Sequence, residues 1–116
     1  FTDKGFQALT ENLKELKLIN NLSLIFDRFT QITNEGMKSL ASIIPELSEL
    51  TLLDLRFRGA PQLGNPSLIS LADAIKSLKS LHSFATNIHG WSYSPESLIG
   101  IKSELKYLKQ CEISDY

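Results

Sequence analysis

The chain predicts an α/β solenoid, with short parallel strands lining the inside of a curved stack and helices lining the outside. Three observations predict it. Similar segments begin at Phe1, Ile32, Leu63 and Tyr93, spaced 31, 31 and 30 residues apart, and a period of roughly 20 to 50 residues marks stacked arrays. Each segment opens on a turn-like stretch, such as Ile32-Thr33-Asn34-Glu35-Gly36 or Leu63-Gly64-Asn65-Pro66-Ser67. Each then carries apolar residues at helical spacing followed by strand spacing. The 116 residues therefore read as one domain of four units, 1-31, 32-62, 63-92 and 93-116, and as part of a longer solenoid.

The helices come first. Met37, Leu40, Ile44 and Leu47 advance by 3, 4 and 3 residues and so share one stripe of an α-helix. The matching sets are Phe6, Leu9, Leu13 and Leu16, then Leu68, Leu71, Ile75 and Leu78, then Leu98, Ile101, Leu105 and Leu108. Asp3, Asn34 and Asn65 are expected to cap the free N–H groups of three helices, and Ser94 before Pro95 suits the start of the fourth. Pro45 should shorten or bend the second helix, because it lacks an N–H and clashes with the preceding turn.

The strands follow. Ile19, Leu22 and Leu24, and Leu50, Leu53 and Leu55, keep an L-x-x-L-x-L rhythm whose last two members point to one side of an extended segment. The third unit gives Leu81, Phe84 and Thr86. The fourth gives Cys111, Ser114 and Tyr116 or, with a one-residue slip, Cys111 and Ile113. Cys111 thereby takes the apolar position of Ile19, Leu50 and Leu81 and is expected in the core. The first strand, about Asn21 to Phe26, presents an apolar edge that invites pairing, so further repeats or another subunit are expected to cover the N-terminal end. Glu112, Ser114 and Asp115 make the opposite edge more tolerant of water.

These residues resemble the leucine-rich repeat family, in its long-repeat, ribonuclease-inhibitor-like branch. The carrying stretches are Ile32-Thr33-Asn34-Glu35-Gly36-Met37-Lys38-Ser39-Leu40-Ala41 leading to Leu47-Ser48-Glu49-Leu50-Thr51-Leu52-Leu53-Asp54-Leu55, and Leu63 to Ala72 leading to Leu78-Lys79-Ser80-Leu81. The resemblance covers the whole chain and is best in the middle. It implies a horseshoe whose concave sheet and adjoining loops bind other proteins. One departure stands out: the family's asparagine, three residues after the last strand leucine, is replaced by Asp27, Arg58 and His89, which removes the basis for an asparagine ladder there.

Composition narrows the function. Hydrophobic residues make up 42% of the chain, charged residues 22%, and the formal net charge is -1, so no nucleic-acid partner is expected. The single cysteine excludes an internal disulfide framework and fits a reducing compartment, so an intracellular, cytoplasmic setting is expected. Apolar runs such as Leu52-Leu53 are far shorter than a membrane span, and no signal peptide is visible, so no membrane insertion is expected. Two histidines and one cysteine without short spacing make a poor zinc site. Gly59, Gly64, Gly90 and Gly100 lack the spacing and lysine of a phosphate loop. We expect no metal, no cofactor and no catalytic residue. Ser92 and Ser94 lie near His89 in sequence, but nothing marks the oriented base or oxyanion hole that an activated serine needs.

The candidate site is a surface. Strand alternation should turn Asn21, Ser23 and Ile25, Leu52, Asp54 and Arg56, and Ser83, Ala85 and Asn87 away from the helices. Ile25 and Leu52 are the informative members, since a large aliphatic side chain facing solvent gains nothing unless a partner covers it; the competing reading is simple tolerance, because scattered exposed apolar residues are normal. The loops after the strands add Arg28 and Phe29, then Arg58, then His89 and Trp91, residue types enriched at binding hot spots. Phe29 and Trp91 have a competing reading, in which they tuck their loops under the sheet. Asp27, Arg58 and His89 should lie side by side along one edge, the first two as a solvated ion pair. The partner-binding set is therefore Ile25, Arg28, Phe29, Leu52, Asp54, Arg56, Arg58, Asn87, His89 and Trp91. It reads as a non-catalytic protein-protein interaction module or a subunit of a larger assembly. The alternative that the resemblance suggests is a small-GTPase regulator using Arg56 or Arg58. A hydrolase built on His89 is the weakest class.

Overall fold

Thr2, Thr33 and Ser94 each turn a side-chain oxygen back onto a backbone N–H two or three residues ahead, and a helix starts at the next residue. In the computed structural model, which describes residues 2–116, the helices are α1 (Asp3–Leu13), α2 (Asn34–Ile43), α3 (Asn65–Lys76) and α4 (Pro95–Glu104). Phe1, the expected start of the first unit, lies outside the described residues. Ser94 caps α4 as expected, and the other three caps sit one residue earlier than expected. Asp3, Asn34 and Asn65 are the first helical residues instead, and their side chains reach to the neighbouring helix start. The cap of α3 is Gly64, where an added Cβ would stand 2.4 Å from the carbonyl oxygen of Ser92.

The apolar stripes face inward as the spacing dictates, with Phe6, Met37, Leu40, Leu71, Ile75 and Ile101 all buried. The fourth member of each stripe lies beyond its helix. Leu47, Leu78 and Leu108 are buried in the passage from helix to strand, whereas Leu16, at the α1 end of the row, is exposed. Pro45 acts as expected: α2 ends at Ile43 and passes into a 3-10 turn, Ile44–Glu46.

Four strands, β1 (Asn21–Phe26), β2 (Leu52–Phe57), β3 (Ser83–Asn87) and β4 (Gln110–Ser114), form one sheet in the order β1-β2-β3-β4. All three pairings are parallel. The helices pack side by side in the same order, so the molecule has two layers. Alternation along β2 buries Leu53, Leu55 and Phe57 against the helix layer, and Leu22 and Phe84 continue that face on either side. Thr86 is the polar member of this face, and its hydroxyl donates to the carbonyl of Leu55.

The fourth strand breaks the expected spacing. Asn21 pairs with Leu52 and Leu52 with Ser83, steps of 31 residues, but Ser83 pairs with Gln110, a step of 27. Cys111 is therefore the rung-mate of Phe84, and Leu108 takes the place of Leu81. The reading that set Cys111, Ser114 and Tyr116 on one face is overturned, as is the core position for Cys111, which is exposed on the last strand. Burial of its thiol still pushes the pKa up, with the positive charge of Lys102 opposing the shift, so the thiolate nucleophile is disfavoured.

Beyond β1, β2 and β3 the chain makes a matching turn. Arg28, Gly59 and Gly90 all adopt left-handed backbone, with φ of 56°, 68° and 88°. These turns stack closely: an added Cβ on Gly90 would stand 2.9 Å from the Cα of Gly59.

Candidate functional site

The sheet face away from the helices is a grid fixed by strand register. Its first rung is Asn21, Leu52, Ser83 and Gln110, its second Ser23, Asp54, Ala85 and Glu112, and its third Ile25, Arg56, Asn87 and Ser114. Asp27 and Arg58 follow one residue past the last paired positions of β1 and β2, and His89 two residues past that of β3. Ile25 is 66% exposed and Leu52 39%, at opposite ends of the grid. Between them Arg56 Nε donates to Asp54 Oδ1 at 2.9 Å along one strand. This hydrogen bond and the charge of Asp54 raise the Arg56 pKa, with smaller contributions from Glu112 and Tyr116. Ser83 Oγ donates to Gln110 Oε1 at 3.0 Å across the first rung.

The row of Asp27, Arg58 and His89 is aligned by register but does not interact as expected. Asp27 Oδ1 accepts the backbone N–H of Arg28 at 3.1 Å, which supports the left-handed turn. Arg58 makes no ion pair among the described residues, and its Nε is buried without a hydrogen-bond partner. His89 Nδ1 lies 3.2 Å from Asp115 Oδ1 instead, and Asp115 also accepts the phenol of Tyr93. The Asp27 to Arg58 ion pair is therefore corrected. Asp27 satisfies the adjacent backbone N–H first, because short local geometry brings that partner to it without ordering a long side chain.

Three of the expected partner-binding residues are buried. Phe29 is 4% exposed and stacks on Phe26 and Phe57, with ring centroids 4.9 and 5.0 Å away, while Phe6 meets it edge-on. Trp91 is 6% exposed and donates Nε1–H to the carbonyl of Phe57 at 2.7 Å. Both tuck their loops under the sheet, with Ala60 buried at the corresponding place between them. Asn87 is buried as well: its Nδ2 donates to the Tyr116 carbonyl at 3.1 Å and its Oδ1 accepts His89 N–H at 2.9 Å. These side chains are occupied internally and offer little to a partner. Ile25, Arg28, Leu52 and His89 are exposed, and Asp54, Arg56 and Arg58 are half-buried.

Sequence reasoning missed the C-terminal residues. The 27-residue step carries Glu112 onto the open face, brings Asp115 to His89 and Tyr93, and sets Tyr116 beside Asn87. The signal was weak in sequence, since only the slipped alternation of Cys111 and Ile113 hinted at it. A shallow recess at the end of β1 and β2 is lined by Ile25, Phe26, Asp27, Arg56, Arg58 and Asn87, with Tyr116 closing one side. Among the described residues, no group of three or more His, Cys, Asp or Glu side chains is placed to hold a metal, and no helix is long and apolar enough to cross a membrane.

No protein-family model matches this sequence, and no curated protein matches it. Among solved structures, the chain is similar to one in the crystal structure of the yeast Rad7 and Elc1 complex, with a TM-score of 0.52 and 18% identity. The match covers 99% of this chain and 29% of that one, so the present chain spans under a third of its neighbour's length. At that identity the likeness speaks for the fold alone: a two-layer α/β arrangement with a four-stranded parallel sheet.

Proposed function

We propose that this chain is a non-catalytic protein-protein interaction module, a segment of a longer leucine-rich repeat solenoid of the ribonuclease-inhibitor-like branch, and a subunit of a larger intracellular assembly. The observation that carries the reading is the open sheet face, where exposed Ile25 and Leu52 flank the Asp54 and Arg56 pair on a regular grid. Such a face supplies apolar contact and fixed charge in known register, the combination that interfaces use for affinity and orientation. Parallel strands in chain order, with two steps of 31 residues, support the solenoid reading. The fold neighbour belongs to a protein complex, which agrees with an assembly role.

The test is affinity capture from the native source with the full-length protein, beside a control carrying Ile25→Asp and Leu52→Asp. Both positions are solvent-facing, so the control should fold, as circular dichroism can check. Loss of a stoichiometric partner from the folded control supports the module, and retention of every partner moves the contact to another face.

A second reading, a small-GTPase regulator, draws on the Arg58 side chain, which lies in the recess with no ion pair among the described residues. Arg56 is less suited because Asp54 holds it. Stimulated GTP hydrolysis lost on Arg58→Ala with binding retained would support this reading, and no stimulation by the wild type would remove it.

A further inference from the structure

We propose that the recess between Arg56 and Arg58 is an acid-binding subsite that receives an aspartate or glutamate side chain of the protein partner, with a neighbouring apolar residue of that partner resting on Ile25. The proposal rests on the interaction-module reading above.

The charge inventory of the recess carries it. Two guanidinium groups and one carboxylate line the space. That carboxylate, Asp27, accepts the N–H of Arg28 and forms no ion pair among the described residues. Arg56 is oriented by Asp54 through Nε, which leaves the terminal nitrogens of its fork as donors. Arg58 makes no ion pair among the described residues, and its Nε–H has no acceptor there. A buried donor left without a partner is the exception in folded chains, and a partner's carboxylate is an acceptor whose charge suits this one. Asn87 does not serve: its Oδ1 accepts the N–H of His89 and its Nδ2 donates to the Tyr116 carbonyl, and Arg58 Nε–H reaches neither.

An incoming carboxylate meets this need with one small movement. When the guanidinium of Arg58 turns its Nε edge outward, two carboxylate oxygens can take Nε–H and one terminal N–H together, the planar pairing that arginine favours. Arg56, whose charge Asp54 offsets, adds the donors of its terminal nitrogens beside it. Ile25, two-thirds exposed on the same rim, makes the subsite selective for an acidic residue next to an apolar one.

The experiment follows the arginine Nε–Hε and Asn87 Nδ2 signals of the whole chain by 15N NMR during titration with sodium acetate, with sodium chloride at matched ionic strength as the control. We expect a saturable shift of the Arg58 signal with acetate and only a shallow, linear drift with chloride. In Arg58→Gln the response of Asn87 to acetate should weaken at least tenfold, while Lys79→Gln, in the connection between α3 and β3 and outside the recess, should respond as the wild type does. A linear response to acetate, or saturation by inorganic phosphate alone, overturns the proposal. Partner capture that survives Arg58→Gln unchanged also overturns it while leaving the interaction module standing, and capture lost on Leu52→Asp, a position outside the recess, supports the module separately.

Discussion

Asp3, the first residue of α1, reaches across to the start of α2 and accepts the backbone N–H of Thr33 at 2.9 Å. Asn34 does the same one helix on, taking the N–H of Gly64 at 3.2 Å and the hydroxyl of Ser67. Asn65 takes the N–H of Ser94 at 2.9 Å. A row of side-chain acceptors thus ties each helix start to the next, and it satisfies N–H groups that would otherwise be stranded just before a helix begins. Gly36 makes room for it, since an added Cβ there would stand 2.4 Å from Asp3 Oδ1.

The first prediction follows from the middle rung. Asn34→Ala removes the acceptor for a buried N–H and a buried hydroxyl, so it should lower stability by about 1–3 kcal/mol. Asn34→Asp keeps the oxygen, as Asp3 does naturally, and should lie much closer to the wild type. Urea unfolding of the three proteins decides it, and equal losses in both variants would show that the acceptor is not what matters.

The facing of β2 gives a second prediction. Leu53 is fully buried and Leu52 is 39% exposed, one residue apart. Leu53→Ala should cost about 2–5 kcal/mol, from lost transfer energy and the cavity left behind. Leu52→Ala should fall within the roughly 0.5 kcal/mol typical of surface changes. Similar shifts in the urea midpoint for both would contradict this facing and exchange the two sides of the sheet.

This facing was legible in sequence because period 2 and burial say the same thing: Leu53 and Leu55 had to share a side. The helices were legible for the same reason at period 3.6. The helix-start ladder was not, because an asparagine beside a helix start can cap its own helix or reach the next, and spacing does not separate the two. The shortened step before β4 was hidden for another reason. Leu105, Leu108 and Cys111 continue an apolar rhythm through the change, so a 30-residue period could be laid over them three residues out of register. Phe29 and Trp91 were readable as aromatic loop residues, but only the stacking on Phe57 and the hydrogen bond to its carbonyl decide between tucked and presented.

Two glycines should respond in opposite directions. Gly90 sits at φ 88° against the Cα of Gly59, so Gly90→Ala adds left-handed strain of about 1–2 kcal/mol before any clash is counted. Gly100 lies in α4 with nothing within 4 Å of an added Cβ. Gly100→Ala should therefore raise stability by about 0.5–1 kcal/mol through the helix preference of alanine. Thermal unfolding of both variants checks the signs, and a loss at Gly100 would place α4 in some contact not seen here.

The C-terminal residues are held by a cluster that titrates. The Tyr93 phenol donates to Asp115, and this hydrogen bond, with burial and the carboxylate charge adding to it, raises the Tyr93 pKa above its ordinary value. The folded chain therefore holds the phenol proton more tightly than the unfolded chain, whose tyrosine titrates near pH ~10. By linkage the stabilisation is fully present below that pH and disappears as pH rises through the higher folded value. Asp115→Asn removes the charge that favours the neutral phenol, so the raised inflection in the 295 nm titration should move back toward the ordinary tyrosine range. Tyr93→Phe should delete that inflection while leaving the separate, burial-driven rise at Tyr107 in place. If Asp115→Asn left the titration unchanged, the carboxylate charge would not contribute, and the hydrogen bond and burial would account for the shift.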